Sequence, residues 1–119
     1  MCCGLATLDV VQRVERVPGP DEKLVALGLD VTFGGPAANA AATAAALGVP
    51  SVLVTALGSG PVAVLVRDGL TAAGVRVLDL AADEPGDPPL SSVLVTASTG
   101  QRAVVSTNAT LRAEDLGSA

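Results

Sequence analysis

The sequence predicts an α/β fold in which a parallel sheet flanked by helices carries a small extra β-sheet. Three observations carry this. Between residues 36 and 80, two helical segments alternate with two short Val/Leu runs. Glycine or proline punctuates each change of period. Two further pairs of β-type runs, at 10–33 and 90–107, surround turn sequences and read as antiparallel ribbons.

Residues 1–8 are short and apolar and are followed by Asp9, the pattern of a buried strand whose end delivers a carboxylate. The run 10–17 alternates in part, as a strand with one wet face does. Pro18-Gly19-Pro20-Asp21 is a turn signal, and the β-branched run 24–33 returns from it to complete a ribbon. Pro36 occupies a first helical position after Gly34-Gly35, and the alanine-dominated helix 37–47 stops at Gly48. Residues 51–57 form a buried strand. Residues 61–73 form a second helix, with Val62, Leu65, Val66 and Leu70 on one face, Arg67 and Asp68 on the other, and Gly74 as its stop. A strand at 75–80, an acidic Pro/Gly loop at 81–89 and a hairpin of 90–97 with 102–107 follow, and a short helix is expected from Leu111.

With 119 residues and half of them hydrophobic, the chain has the means for one core. Phe33 is the sole aromatic residue, so that core is built from Val, Leu and Ala, and its stability is modest. Seven scattered basic residues against 12 acidic ones leave no basic stripe and argue against nucleic acid as a partner. Residues 31–66 carry no charge, which is long enough for a membrane span, but Gly and Pro interrupt the stretch repeatedly, so no membrane is expected. Adjacent Cys2 and Cys3 point to opposite sides of a strand. They disfavour a disulfide framework or zinc site and read as small apolar residues of a buried strand. No secretion signal precedes Asp9, and a cytoplasmic location is expected.

The chemistry concentrates in a few places. Gly34-Gly35-Pro36-Ala37-Ala38-Asn39 lets backbone approach a ligand and aims the free N–H groups of a helix at it, although a Gly-Gly pair also serves tight packing. The stretch is neither a dinucleotide fingerprint nor a Walker motif. A carboxylate at Asp9 accepts hydrogen bonds from two hydroxyls, the grip a polyol requires, or else it caps a turn. Arg102, after a turn glycine, is either a ligand contact or a solvated hairpin charge. Without histidine, no Cys/His cluster or Ser/His/Asp triad is available.

Together, Leu8-Asp9, the ribbon, Gly34-Gly35-Pro36-Ala37-Ala38-Asn39-Ala40-Ala41 and Ala46-Leu47-Gly48 resemble the PfkB or ribokinase family of carbohydrate kinases, across the whole chain. Within it, Gly86-Asp87-Pro88-Pro89-Leu90-Ser91-Ser92 and Gly100-Gln101-Arg102-Ala103-Val104-Val105 look most like ketohexokinase- and fructokinase-like members. The resemblance implies part of a ribokinase-like three-layer fold with a small β-sheet lid, its strands at about 10–33, 75–80 and 91–107. It implies that Asp9, Gly34, Gly35 and Asn39 contact sugar hydroxyls and that Arg102 is a substrate-side arginine. It also implies a homodimer through the lid strands, with Asp21 reaching the partner's site. Two departures stand out: Pro36 replaces a polar residue common in the family, and Gly58-Ser59-Gly60-Pro61 lacks the acidic residue common in that turn.

The family's catalytic Asp sits in a Gly-Ala-Gly-Asp motif of a C-terminal, ATP-binding half, which these residues do not contain. ATP and Mg2+ are therefore expected for the complete enzyme, with no catalytic, nucleotide or metal residue here and no turnover by this chain alone. The implied function is ATP-dependent phosphorylation of a ketohexose-like sugar, this chain supplying the sugar-binding part. The alternatives are a non-catalytic sugar-binding or dimerising remnant, or part of a nucleoside kinase of the same family.

Overall fold

The valine-rich and alanine-rich runs adopt their respective periods in the computed structural model, which describes residues 1–107. Strands β1 (Cys2–Cys3), β4 (Ser51–Thr55) and β5 (Val75–Asp79) form a parallel sheet in the order β1-β4-β5. Helices α1 (Pro36–Ala46) and α2 (Pro61–Ala72) flank it, each starting with proline after an N-capping glycine. A second sheet has the order β3-β2-β6-β7, from β2 (Thr7–Val14), β3 (Gly28–Gly34), β6 (Leu90–Thr96) and β7 (Arg102–Ser106). The pairs β2/β3 and β6/β7 are antiparallel ribbons, joined by parallel pairing of β2 with β6.

Leu53, Leu57, Val66 and Leu70 are the largest fully buried side chains, each contributing roughly 1.5–3 kcal/mol by leaving water. Ala38, Ala41 and Ala63, also fully buried, let α1 and α2 lie close against the strands. Phe33 ties the small sheet to this core. Its ring packs against α2 where Gly69 has no side chain, and a Cβ there would lie 3.1 Å from Phe33 Cδ1.

Four expectations are corrected. The strand at 75–80 does not join the small sheet: it follows helix α2 and pairs in parallel with β4, as a β-α-β crossover does. The first run is two strands. The chain turns at Gly4, with φ of 155°, so Asp9 is the third residue of β2 and not the end of the first strand. Cys2 is half-buried against the core while Cys3 is exposed. The buried stripe of α2 is Ala63, Val66 and Leu70; Leu65, about 100° around the helix from Val66, is 53% exposed. The helix expected from Leu111 lies outside the described residues. Among the described residues no helix is long and apolar enough to cross a membrane.

Arg67 of α2 is partly buried in an ion pair. Its guanidinium donates to Asp79 Oδ2 at 2.6 Å and to the Gly58 carbonyl at 3.0 Å. Asp79, whose side chain is only 5% exposed, also accepts from the Leu57 and Ala81 amides at 2.9 Å each. Arg67→Ala leaves this buried carboxylate without its countercharge. The expected loss is about 2 kcal/mol in urea unfolding, below the range for a fully buried pair because Arg67 is a third exposed. A loss under about 0.5 kcal/mol would mean that solvent already screens the pair.

Candidate functional site

The site is built where the link between β1 and β2, the end of β3 and the start of α1 converge. Thr7 pairs with Gly34 and Asp9 with Thr32, so the Asp9 side chain lies beside the last residue of β3. Thr7 Oγ1 donates to Asp9 Oδ1 at 3.1 Å. The second carboxylate oxygen, Oδ2, lies over buried Gly34, in space that any Cβ at position 34 would occupy. Asp9 is thus held through one oxygen, with the other turned toward the glycine pair.

Gly35 has φ of 99° and ψ of 142°, a conformation open almost solely to glycine, and it is the N-cap of α1. A Cβ on it would lie 2.5 Å from the Leu5 carbonyl oxygen. The backbone of the β1–β2 link therefore closes directly on the helix entrance, and no side chain caps α1. The Asn39 amide donates to the Gly35 carbonyl at 2.9 Å, which places Asn39 one turn into the helix, where it is exposed. Asp9, Gly34, Gly35 and Asn39 are accordingly grouped around one helix N-terminus, a place that favours electron-rich ligand oxygens.

Arg102 and Asp21 are not brought into this group. Arg102 pairs with Val95, four residues along β6 from Ser91, the partner of Asp9. Strand rise puts it ~13 Å further out along the small sheet and two strands over, though on the same face as Asp9. Asp21 sits with φ of 58° in the exposed loop at the outer tip of the β2/β3 ribbon. Arg16 and Glu22 close that loop by an ion pair, and the Arg16 side chain and the Gly19 amide hold the Glu22 carboxyl down at about 2.

A second carboxylate acts at the start of α2. Asp87 Oδ1 accepts from the Val62 and Ala63 amides at 2.9 and 3.1 Å, folding the 81–89 loop onto the helix. The turn that lacks an acidic residue of its own is capped from this distant loop, aided by Ser59 and Gly60 amides donating to Glu84 and Gly86 carbonyls. Sequence reasoning missed this. The usable signal was a helix opening on Gly60-Pro61 with no capping side chain, and hence in need of a carboxylate from elsewhere.

At the carboxyl ends of β1 and β4, a pocket of about 330 Å³ is lined by Cys3, Leu5, Val54, Thr55, Ala56 and Leu80. Open α/β sheets place ligands at this end. Thr55 Oγ1 is buried there without a partner among the described residues. Among the described residues no group of three or more His, Cys, Asp or Glu is placed to hold a metal ion.

Residues 1–116 match the pfkB family carbohydrate kinase family. Mouse ketohexokinase is 29% identical over 105 residues, covering 88% of this chain and 35% of that protein. Among solved structures, Thermotoga maritima ribokinase superposes with a TM-score of 0.68 at 22% identity, over 88% of this chain and 34% of its own. Arabidopsis thaliana ribokinase, solved with ribose and ATP, superposes with a TM-score of 0.64 at 23% identity, again over 88% and 34%. The chain spans about a third of the length of these relatives.

Proposed function

The chain belongs to the pfkB family of carbohydrate kinases, and from that premise we propose that it is the acceptor-binding part of an ATP-dependent kinase for a ketohexose-like sugar. The observation that carries this reading is the Asp9 carboxylate, held by Thr7 and laid over Gly34 beside the uncapped start of α1. Asp9 accepts from sugar hydroxyls, Asn39 supplies donors and acceptors from the first turns of α1, and Gly34 and Gly35 keep the backbone low enough for the sugar to approach. Positioning the hydroxyl is this chain's contribution to phosphoryl transfer. ATP with Mg2+ supplies the phosphoryl group in the complete enzyme.

In this reading the small sheet is a lid. Arg102 meets the far side of the substrate as the lid closes, and Asp21 reaches a site only across a homodimer. Leu29, Val31 and Val105, all exposed on one face of the small sheet, support such a dimer, which sedimentation equilibrium tests. A cytoplasmic location, where ATP and reduced thiols are abundant, belongs to the same reading; fractionation tests it.

Calorimetric titration of the 119-residue chain tests the function. D-fructose is expected to bind and ATP with Mg2+ is not. Binding of adenosine without fructose would transfer the chain to the nucleoside kinases of the family, and binding of ATP alone would reverse the assignment of acceptor side.

A further inference from the structure

The register of the small sheet sets its face in rows. Paired residues share a face, so Thr32, Asp9, Ser91 and Ser106 stand side by side across β3, β2, β6 and β7. The next row outward, Asp30, Val11, Val93 and Val104, is apolar on three of its four strands. Polar side chains on three neighbouring strands therefore meet Asp9 at its own level, and among the rows paired across all four strands on this face only this one is polar throughout.

Ser91 is the member of that row next to Asp9 on β6, and it is half-buried. Adjacent strands lie ~4.8 Å apart, so one small ligand spans both side chains. The two are not spent on each other. Asp9 Oδ1 is taken by Thr7, and Ser91 Oγ pairs with Ser106 Oγ at 2.7 Å, on the side away from Asp9. A pair of hydroxyls uses one O–H as donor and leaves the other O–H and several acceptor sites unused. A group that both donates and accepts suits a sugar hydroxyl better than a phosphate or a carboxylate.

Resting on the acceptor-side reading above, we propose that Ser91, oriented by Ser106, is a specificity-determining residue that holds a second hydroxyl of the polyol, adjacent to the one gripped by Asp9. The preferred substrate then carries two neighbouring hydroxyls across this row, and removing one of them costs affinity through Ser91.

Calorimetric titration of the 119-residue chain with D-fructose and its monodeoxy analogues tests this. For one analogue the unsubstituted chain is expected to show a penalty of about 3–10-fold, the worth of one neutral hydrogen bond. Ser91→Ala is expected to abolish that penalty by weakening D-fructose and every analogue that keeps this hydroxyl while sparing the one that lacks it, and Ser91→Thr, which keeps the hydroxyl, to restore it. Equal weakening of every sugar by Ser91→Ala, or no change, overturns the proposal while leaving the Asp9 assignment intact, provided Asp9→Asn still lowers affinity for all of them. If Asp9→Asn changes nothing, the acceptor-side reading itself fails and this one with it.

Discussion

Replacing Asp9 with asparagine is expected to lower the affinity of the chain for D-fructose by about 10- to 100-fold, as loss of a charge-assisted hydrogen bond does. The fold should survive. An asparagine Oδ1 still accepts from Thr7 Oγ1, and its Nδ2 fits over Gly34 where Asp9 Oδ2 lies. What changes is the group facing the ligand, from an acceptor to a donor. Calorimetry measures the affinity, and circular dichroism shows whether the secondary structure is kept. Unchanged affinity in a folded variant would remove Asp9 from the site.

Gly35→Ala is expected to cost about 3–4 kcal/mol of stability, from a conformation closed to alanine plus a clash with backbone that has no side chain to swing away. The clash is with the Leu5 carbonyl, 2.5 Å from the added Cβ. For a domain of this size that is a fall in Tm of at least about 12 °C. Gly48→Ala is the matched control. Gly48 also has positive φ, at 83°, but nothing lies within 4 Å of its added Cβ, so about 1 kcal/mol is expected. Thermal unfolding compares a positive-φ glycine whose added Cβ meets backbone with one whose added Cβ meets nothing. Equal losses would mean that the β1–β2 link yields to Gly35, and the close approach at the helix entrance would lose its structural argument.

The residues differ in how far the sequence alone reveals them, and the difference follows the range of the interaction. Helix starts at Pro36 and Pro61 and stops at Gly48 and Gly74 are local chemistry, legible from a few neighbours. The placement of Asp9 beside Gly34 depends on strand pairing across 25 positions, and only the family resemblance pointed to the two together. The break at Gly4 was hidden because residues 1–8 carry no charge and only one polar side chain, Thr7, so no alternation marks where one strand ends and the next begins. Sheet membership of 75–80 is likewise a matter of crossover, not of composition. Asp79 meets Arg67 across 12 residues and Asp87 caps α2 from 25 residues away, so the local sequence shows at most that the start of α2 has no capping side chain of its own. The resemblance alone points to Arg102 and Asp21 as site residues, and the chain places both at the outer part of the small sheet.

In the proposed function the convergence of β2, the glycine pair and α1 receives a sugar without nucleotide. The most direct measurement is the perturbation of backbone amide resonances of the 119-residue chain on adding D-fructose in the absence of ATP. Shifts are expected to centre on Asp9, Gly34, Gly35 and Asn39, to saturate with sugar concentration and to vanish in Asp9→Asn. Saturable shifts elsewhere with these four residues unmoved, or shifts here with ATP and none with sugar, would contradict it.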